Sequence, residues 1–150
     1  MLGSEYRFLI SAIDSLSQEV VDLASDVIAV PRPDLGNMKI SAGENHTLAI
    51  NSADKVIAWG NNGNGQLGDN LTATKYNELS MTNVIDIAAG QFHSVALLSN
   101  NTVMSWGSNN SGKLGNGTTG GNNPTPGTVI NLTGVLAITA GHNHTLALKS

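Results

Sequence analysis

The stretch W-G-S-N-N-S-G-K-L-G-N-G, residues 106–117, holds the spacing most typical of a chemical site. Gly107, Gly112 and Lys113 stand at the spacing G-x-x-x-x-G-K of a phosphate-binding loop, in which glycine amides and a lysine cradle a nucleotide. Such a loop needs Ser or Thr after the lysine to hold magnesium, and Leu114 stands there instead. The following Gly, Asn and Pro residues favour turns over the helix that a phosphate loop requires. We therefore predict no phosphate loop here and no nucleotide or other cofactor.

The histidines form the second candidate site. His46, His93 and His144 occupy the same position of a motif that occurs three times, and His142 lies two residues before the last of them. Three imidazoles could bind zinc. Equivalent positions of successive repeats lie further apart than metal–ligand bonds permit, and a recurring histidine also fits a hydrogen bond between repeats. We predict the structural role and no metal site, with a His142–His144 metal pair as the alternative.

Composition narrows the functional classes. The chain has no cysteine, so disulfides and thiol chemistry are excluded. Its serines lack the G-x-S-x-G context and its aspartates form no paired-carboxylate pattern, so we predict that the protein is not an enzyme. The first 30 residues carry five acidic side chains and one arginine, while the remaining residues have no net charge. Nucleic-acid binding depends on basic residues that neutralise phosphates, so we also predict no nucleic-acid partner.

The same composition bears on location. The chain has no run of about 20 apolar residues, and Glu5 and Arg7 leave only the short apolar segment 8–12 near the N-terminus. We therefore expect neither a membrane partner nor a signal peptide. Low charge with abundant Asn, Thr and Gly is typical of extracellular and particle-surface β-proteins. We expect a virion or cell-surface location, with a cytoplasmic one as the alternative.

A repeat gives the glycine-rich stretch a different explanation. Residues 59–68, W-G-N-N-G-N-G-Q-L-G, return 47 residues later as residues 106–115. Lys113 of the second copy corresponds to Gln66 of the first, which marks the lysine as a variable loop position. Trp-Gly, an Asn three residues after the Trp, and Leu-Gly persist in both copies. They predict a turn held by an aromatic anchor and a leucine.

The repeat extends upstream of the tryptophans. Residues 42–50, A-G-E-N-H-T-L-A-I, match residues 89–97 and 140–148 at offsets of 47 and 51. Around these motifs, short apolar or alternating runs bounded by turn residues predict strands. The predicted strands are 38–42, 46–50, 55–59, 84–89, 93–98, 102–106, 135–140 and 144–148. Repeats of this length that hold several short strands are typical of propeller blades.

The two motifs, A-G-x-x-H-[ST]-x-A-[LI] and W-G-x-N-x-x-G-x-L-G, together resemble the regulator of chromosome condensation repeat. The resemblance covers residues 37–150, as two full repeats and the first part of a third. That family forms seven-bladed β-propellers, so the resemblance implies a mainly β fold over residues 38–150, with about 2.5 blades of a longer array. We expect the array to continue beyond residue 150, or, as the alternative, several chains to supply blades to one another. The residues predicted to hold the blades are Gly43, His46, Trp59, Leu67, Gly90, His93, Trp106, Leu114, Gly141 and His144.

The first 30 residues are different in kind. Their apolar residues follow steps of 4 and 3, which is the heptad pattern of a coiled coil. The predicted oligomerisation set is Leu9, Ile13, Leu16, Val20, Leu23, Val27 and Val30. Pro31 and Pro33 end this helix and begin a linker over residues 31–37. The apolar stripe is wide, which favours a homo-trimer, and an amphipathic helix packed on another domain is the alternative.

These elements predict a structural and interaction protein with a protein partner. A helical stalk would associate the chains and carry propeller heads, as in a virion head fibre or appendage or a bacterial surface protein. The predicted variable surface consists of loops 61–66, 108–113 and 116–127. The best-known members of the resembling family are guanine nucleotide exchange factors for a small GTPase, so the resemblance implies an exchange-factor-like regulator or adaptor as the alternative.

Overall fold

A computed structural model describes residues 38–70 and 75–150 of the chain. The predicted helix over residues 1–30 and the predicted linker over residues 31–37 lie outside the described residues. Within the described part the chain contains strands and turns and no α-helix. The strands form three antiparallel sheets that follow one another in sequence order. The mainly β fold predicted for residues 38–150 is therefore confirmed.

The first two sheets each have four strands in sequence order. The first sheet consists of β1 (Ile40–Ala42), β2 (His46–Ile50), β3 (Val56–Gly60) and β4 (Lys75–Glu78). The second consists of β5 (Val84–Ala89), β6 (His93–Leu98), β7 (Val103–Ser108) and β8 (Asn122–Thr128). In the third sheet β9 (Val135–Ala140) pairs with β10 (Thr145–Lys149). Each sheet thus begins with the same hairpin, whose turn contains the Ala-Gly motif.

The fourth strand of each complete sheet, β4 or β8, was absent from the predicted set. β4 is the polar sequence K-Y-N-E, and β8 contains Pro124 and Pro126 and overlaps the predicted loop 116–127. Both lie at the edge of a sheet, where a proline removes no hydrogen bond from a central ladder. The remaining strands agree with prediction to within two residues at each end.

Apolar side chains of neighbouring sheets meet in two clusters. The cluster between the first and second sheets contains Leu48, Ile50, Val56, Ala58, Leu67, Leu79, Val84, Ile87, Ala89, Ala96 and Trp106. The cluster between the second and third contains Ala88, Val95, Leu97, Val103 and Val135. Because side chains alternate along a strand, Val95 and Leu97 of β6 face the third sheet while Ala96 faces the first. The second sheet is therefore buried on both faces.

The two end sheets each keep one apolar face accessible. Ile40 of the first sheet is 69% exposed, although its equivalent in the second sheet, Ile87, is buried. Leu146 and Leu148 of β10 are likewise exposed, although their equivalents in β6 are fully buried. The burial of a repeat position in the described residues is thus decided by the presence of a neighbouring sheet.

Candidate interaction site between neighbouring sheets

A chain of two hydrogen bonds joins the first sheet to the second. His46, which begins β2, places its ring Nε2 3.0 Å from the hydroxyl of Ser94 in β6. The same hydroxyl donates to the backbone carbonyl of Gln66, 2.8 Å away, in the loop after β3. The carbonyl thus belongs to the sheet that holds the histidine, and the serine of the next sheet is held between them.

The same arrangement joins the second sheet to the third. Nε2 of His93 lies 3.0 Å from the hydroxyl of Thr145, which donates to the carbonyl of Lys113 over 2.9 Å. His93 and Thr145 follow His46 and Ser94 by 47 and 51 residues, the two offsets of the repeat. The recurring H-[ST] pair therefore contacts across sheets, with each histidine bonded to the hydroxyl of the next repeat.

The hydrogen bonds indicate which ring nitrogen of these histidines carries a hydrogen. A serine or threonine hydroxyl carries one hydrogen, and here it is donated to a carbonyl, so the oxygen accepts from the imidazole Nε2–H. Burial lowers the pKa of His46 to about 4. Burial, and then the charge of nearby Lys113, lower the pKa of His93 to about 4 as well. Both rings are therefore neutral Nε2–H tautomers at neutral pH, with the lone pair on Nδ1.

A buried asparagine holds each of the repeated loops. The side-chain oxygen of Asn62 accepts from the backbone N–H of Leu67 at 2.8 Å, and Asn109 accepts from Leu114 at 3.1 Å. The amide nitrogen of each asparagine donates further along its loop, to Asp69 or to Asn116. Both asparagines are fully buried. The Asn three residues after each Trp thus shapes the loop from inside.

Trp106 connects the second sheet to the loop of the first. Its indole N–H donates to the Gln66 carbonyl over 2.8 Å, so this oxygen accepts two hydrogen bonds. The side chain is fully buried in the first apolar cluster, and a Cβ on Gly68 would lie 3.2 Å from the indole nitrogen. Trp59, the equivalent residue of the first sheet, is half-buried. The aromatic anchor therefore packs against the loop of the preceding sheet.

A cavity of about 280 Å³ lies between the second and third sheets. Strand β7 and its following loop form one wall, and the beginning of β10 forms the other. The residues around it include Val103, Ser105, Lys113, Leu114, Gly115, Val129, Leu132, Asn143, His144, Thr145 and Ala147. This volume lies just below the usual range for sites that bind drug-sized molecules.

Lys113 is directed into the interface between two sheets. Only 6% of its surface is exposed, its ammonium group donates to the Asn143 side-chain oxygen at 3.0 Å, and burial lowers its pKa. Leu114 follows it into the core, and the chain then continues in turns to β8. This arrangement differs from a phosphate loop, which exposes its lysine and opens a helix.

The other predicted site residues are distributed along the array. His46 and His93 lie at different interfaces, and His144 is exposed immediately before β10. In residues 38–70 and 75–150 no three His, Cys, Asp or Glu side chains are grouped closely enough to hold a metal ion. The oligomerisation set from Leu9 to Val30 lies outside the described residues. Among the residues described, no helix is long and apolar enough to cross a membrane.

The predicted variable loops are buried at several positions. In loop 61–66 the side chains of Asn62 and Gln66 are fully buried, and in loop 108–113 Asn109 and Lys113 are buried too. The solvent-facing part is narrower and includes Asn61, Gly63 and residues 110–111. Residues 116–121 are mostly exposed, before β8 begins.

Prediction from sequence did not identify the partners of the histidines. Ser94, Thr145 and the two loop carbonyls complete each connection, yet none of them was among the predicted site residues. The signal was present, because a hydroxyl residue follows each of His46, His93 and His144. The bond, however, runs to the hydroxyl of the next repeat rather than to the adjacent one.

Two protein-family models match the chain, and both describe the same family. Models described as the regulator of chromosome condensation repeat match residues 54–97 and 100–148, and residues 39–66 and 84–113. Among curated protein sequences, none matches the chain.

Solved structures match the fold of the described sheets. The yeast protein in the crystal structure of Kap60 bound to yeast RCC1 (Prp20) is 26% identical, with a TM-score of 0.65 over 74% of this chain and 29% of that chain. A structure of Prp20p from Saccharomyces cerevisiae, whose description includes binding to Gsp1p and histones, is 21% identical, with a TM-score of 0.65 over 77% of this chain and 32% of that one. Human WBSCR16 is 23% identical, with a TM-score of 0.66 over 75% and 31%. The chain thus spans about a third of the length of each of these proteins.

Proposed function

This chain belongs to the regulator of chromosome condensation repeat family, and from that membership we propose that it is a non-catalytic protein-interaction module. Its three sheets are consecutive blades of a partial propeller, and their exposed loops form the surface that meets a protein partner. The finer version of the proposal joins this head to an N-terminal stalk that assembles several chains. A virion head fibre or appendage is the concrete case, with a bacterial surface protein as a second.

The main support for the proposal is the set of hydrogen bonds between neighbouring sheets. The recurring polar side chains of the repeat, the histidines, the Ser or Thr hydroxyls and the asparagines, bond to one another or to backbone groups inside the fold. Groups engaged in this way position sheets rather than a substrate. The solvent-facing part of the loops consists of short polar residues and glycine, which supply adaptable hydrogen bonds to a partner surface.

The stalk rests on the heptad pattern of the first 30 residues. Seven apolar residues at a and d positions give a continuous seam, and additional apolar residues beside it favour three helices. The charge of the whole chain, −4, equals the net charge of this segment. Association therefore depends on the apolar seam, and it should strengthen when salt screens the acidic side chains.

Light scattering of the full chain tests the stalk. We expect a mass of roughly three times the 15.5 kDa of one chain. The double variant Leu16→Asp/Leu23→Asp should reduce it to a monomer while the circular dichroism of the sheets is retained. As a matched control, Ser15→Asp/Asp22→Asn changes neighbouring polar positions and should leave the mass unchanged. A monomeric wild-type chain would contradict the stalk.

Exchange on a small GTPase is the second candidate function, because the family's best-known members have it and the yeast relative is 26% identical. Release of a fluorescent guanine nucleotide from a panel of small GTPases tests it. On the interaction-module proposal the chain leaves every release rate unchanged. Acceleration of any release rate by the full chain would favour the exchange function over the interaction module.

A further inference from the structure

The chain contains three Asn-Gly pairs, and this dipeptide is the one most prone to spontaneous deamidation. The pairs are Asn62-Gly63, Asn64-Gly65 and Asn116-Gly117. In deamidation the backbone nitrogen of the glycine attacks the side-chain carbonyl carbon of the asparagine before it, and glycine permits this because it has no Cβ to shield the nitrogen. The dipeptide is the same in all three places, so a difference in reactivity between them comes from the fold.

The fold restrains the first two pairs. The Gly63 N–H donates to the Asn61 side-chain oxygen at 2.9 Å, and Asn62 before it is fully buried. The Gly65 N–H donates to the Asn62 carbonyl at 3.0 Å, and a Cβ on Gly65 would lie 2.5 Å from the Pro124 Cα, so this glycine is packed against β8. In both pairs the attacking nitrogen is already hydrogen-bonded, and moving it towards the asparagine side chain would break that bond.

The third pair differs in both of the groups that react. Gly117 is exposed, and its N–H donates to no group of the described residues. The Asn116 side-chain oxygen accepts from the Asn109 side-chain amide at 3.1 Å, and from the backbone N–H and the hydroxyl of Thr118 at 3.1 and 2.8 Å. Donors placed around a carbonyl oxygen stabilise the negative charge that it gains when the carbon is attacked. The nucleophile is therefore free and the carbonyl is activated.

The first repeat already contains the product of this reaction. Asp69 lies 47 residues before Asn116, at the same position of the repeat. Its Oδ1 accepts from the Asn62 side-chain amide at 2.6 Å, as Asn116 accepts from Asn109. A carboxylate at position 116 therefore fits the loop, and it is a stronger hydrogen-bond acceptor than the amide that it replaces.

We propose that Asn116 is a modification site, at which the folded chain converts asparagine through a cyclic imide into aspartate and isoaspartate. The Gly117 nitrogen bonds to Asn116 Cγ, its proton passes through solvent to the leaving nitrogen, and the Cγ–Nδ2 bond breaks to release ammonia. Water then opens the imide. Attack at Cγ gives aspartate, and attack at the backbone carbonyl gives isoaspartate, whose main chain runs through Cβ. Either product adds one negative charge to the loop, and the reaction depends on neither the partner nor the stalk of the proposed function.

Peptide mapping by mass spectrometry, after incubation of the full chain in warm, mildly alkaline buffer, tests the proposal. Conversion at Asn116 should be at least about tenfold faster than at Asn62 or Asn64. Part of the product should be isoaspartate, which enzymatic methylation and electron-transfer fragmentation both detect. In urea the hydrogen bonds of the loops are lost, so the three pairs should react at rates within about threefold of one another.

Variants of the chain separate the contributions. Thr118→Val removes the hydroxyl donor and should slow conversion at Asn116 by at least about threefold. Thr119→Val changes the neighbouring exposed threonine and should leave the rate unchanged. Asn116→Asp should abolish methylation at this loop while it retains the thermal midpoint of the wild type. If Thr118→Val disrupts the loop, the comparison of folded and urea-treated wild-type chain still measures the selection among the three pairs.

Three outcomes would overturn the proposal. Equal conversion of Asn62, Asn64 and Asn116 in the folded chain would mean that the fold does not select among the pairs. Conversion at Asn116 in urea but not in the folded chain would mean that the loop protects this residue. Aspartate without isoaspartate at this position would mean direct hydrolysis of the amide rather than attack by Gly117.

Discussion

One hydroxyl oxygen links each pair of neighbouring sheets at the residue scale. In the first interface the Ser94 hydroxyl is bonded both to His46 and to the Gln66 carbonyl, and all three groups are buried. Removing a hydroxyl from such a position leaves its partners desolvated without replacement, which costs more than an ordinary hydrogen bond contributes. The consequence can be measured at more than one repeat.

We expect Ser94→Ala to lower the free energy of unfolding by about 2 to 3 kcal/mol, because the His46 Nε2–H loses its acceptor in a buried site. Thr145→Ala breaks the equivalent bond where the hydroxyl residue is only half-buried, so we expect a smaller loss of about 1 kcal/mol. Urea denaturation of both variants provides the measurement. Thr47→Ala, at the same repeat position of the first sheet, is the control, and an equal loss there would contradict the cross-sheet role.

Acid should destabilise the sheets through the same histidines. His46 and His93 have a folded pKa of about 4 against an ordinary value of 6.5, so the unfolded chain binds protons first. The stabilisation that depends on the two neutral rings is fully present above about pH 6.5 and is lost as the pH is lowered towards about 4. Below about pH 4 these histidines cause no further loss. Each histidine contributes at most about 3 kcal/mol to the loss.

Urea midpoints at about pH 7 and about pH 5 test this, since most carboxylates stay ionised in that interval. The variant His46→Gln/His93→Gln retains a side-chain N–H donor and cannot titrate, so its midpoint should change much less between the two values. A wild-type midpoint that does not move would contradict the neutral, buried state of the rings.

At the element scale, the repeated loop and the strand of the next sheet hold each other in place. Gly65 has φ +79°, and a Cβ on it would lie 2.5 Å from the Pro124 Cα in β8. Gly120 has nearly the same φ, +82°, with no atom within 4 Å of such a Cβ. Substitutions at the two glycines therefore distinguish the cost of backbone strain from the cost of steric crowding.

Gly120→Ala should cost about 1 to 2 kcal/mol, the strain of a left-handed alanine. Gly65→Ala should cost at least about 1 kcal/mol more, because the chain must also move away from Pro124. Thermal unfolding of both variants under one condition gives the comparison. Equal losses would mean that the contact between loop and β8 does not contribute to stability.

Elements differ in how far they could be predicted from sequence. β2, β5, β6 and β9 were predicted with the observed or nearly observed bounds, because their apolar runs are buried in the interfaces. β4 and β8 could not be, since their strand state comes from pairing with β3 and β7 rather than from their own polar and proline-containing residues. The cavity beside Lys113 depends on the packing of two sheets, which no local pattern reveals.

At the scale of the three described sheets, the second sheet is packed on both faces, whereas the first and third sheets are each packed on one. Ile50, Leu97 and Leu148 occupy the same repeat position, yet the first two are 1% exposed and the last is 64% exposed. The same repeat position is therefore buried in two sheets and exposed in the third. An exposed apolar edge strand is also a site of unwanted association.

Leu148→Lys should change the free energy of unfolding by less than about 0.5 kcal/mol and should reduce association of concentrated samples, because it places a charge on an exposed edge. Leu97→Lys should prevent stable folding, since it buries an unpaired ammonium group. Circular dichroism melts and turbidity at high concentration measure the two effects. A large destabilisation by Leu148→Lys would mean that β10 is covered in solution.

The links between the sheets all point the same way along the chain, from an imidazole of one sheet to a hydroxyl of the next. The array therefore has polarity, with an imidazole, His144, at one terminus and a hydroxyl, Thr47, at the other. Two like termini brought together by a two-fold axis would set imidazole against imidazole, whereas unlike termini continue the pattern. A contact that continued this pattern would join unlike faces, and contacts of that kind form closed rings or open fibres.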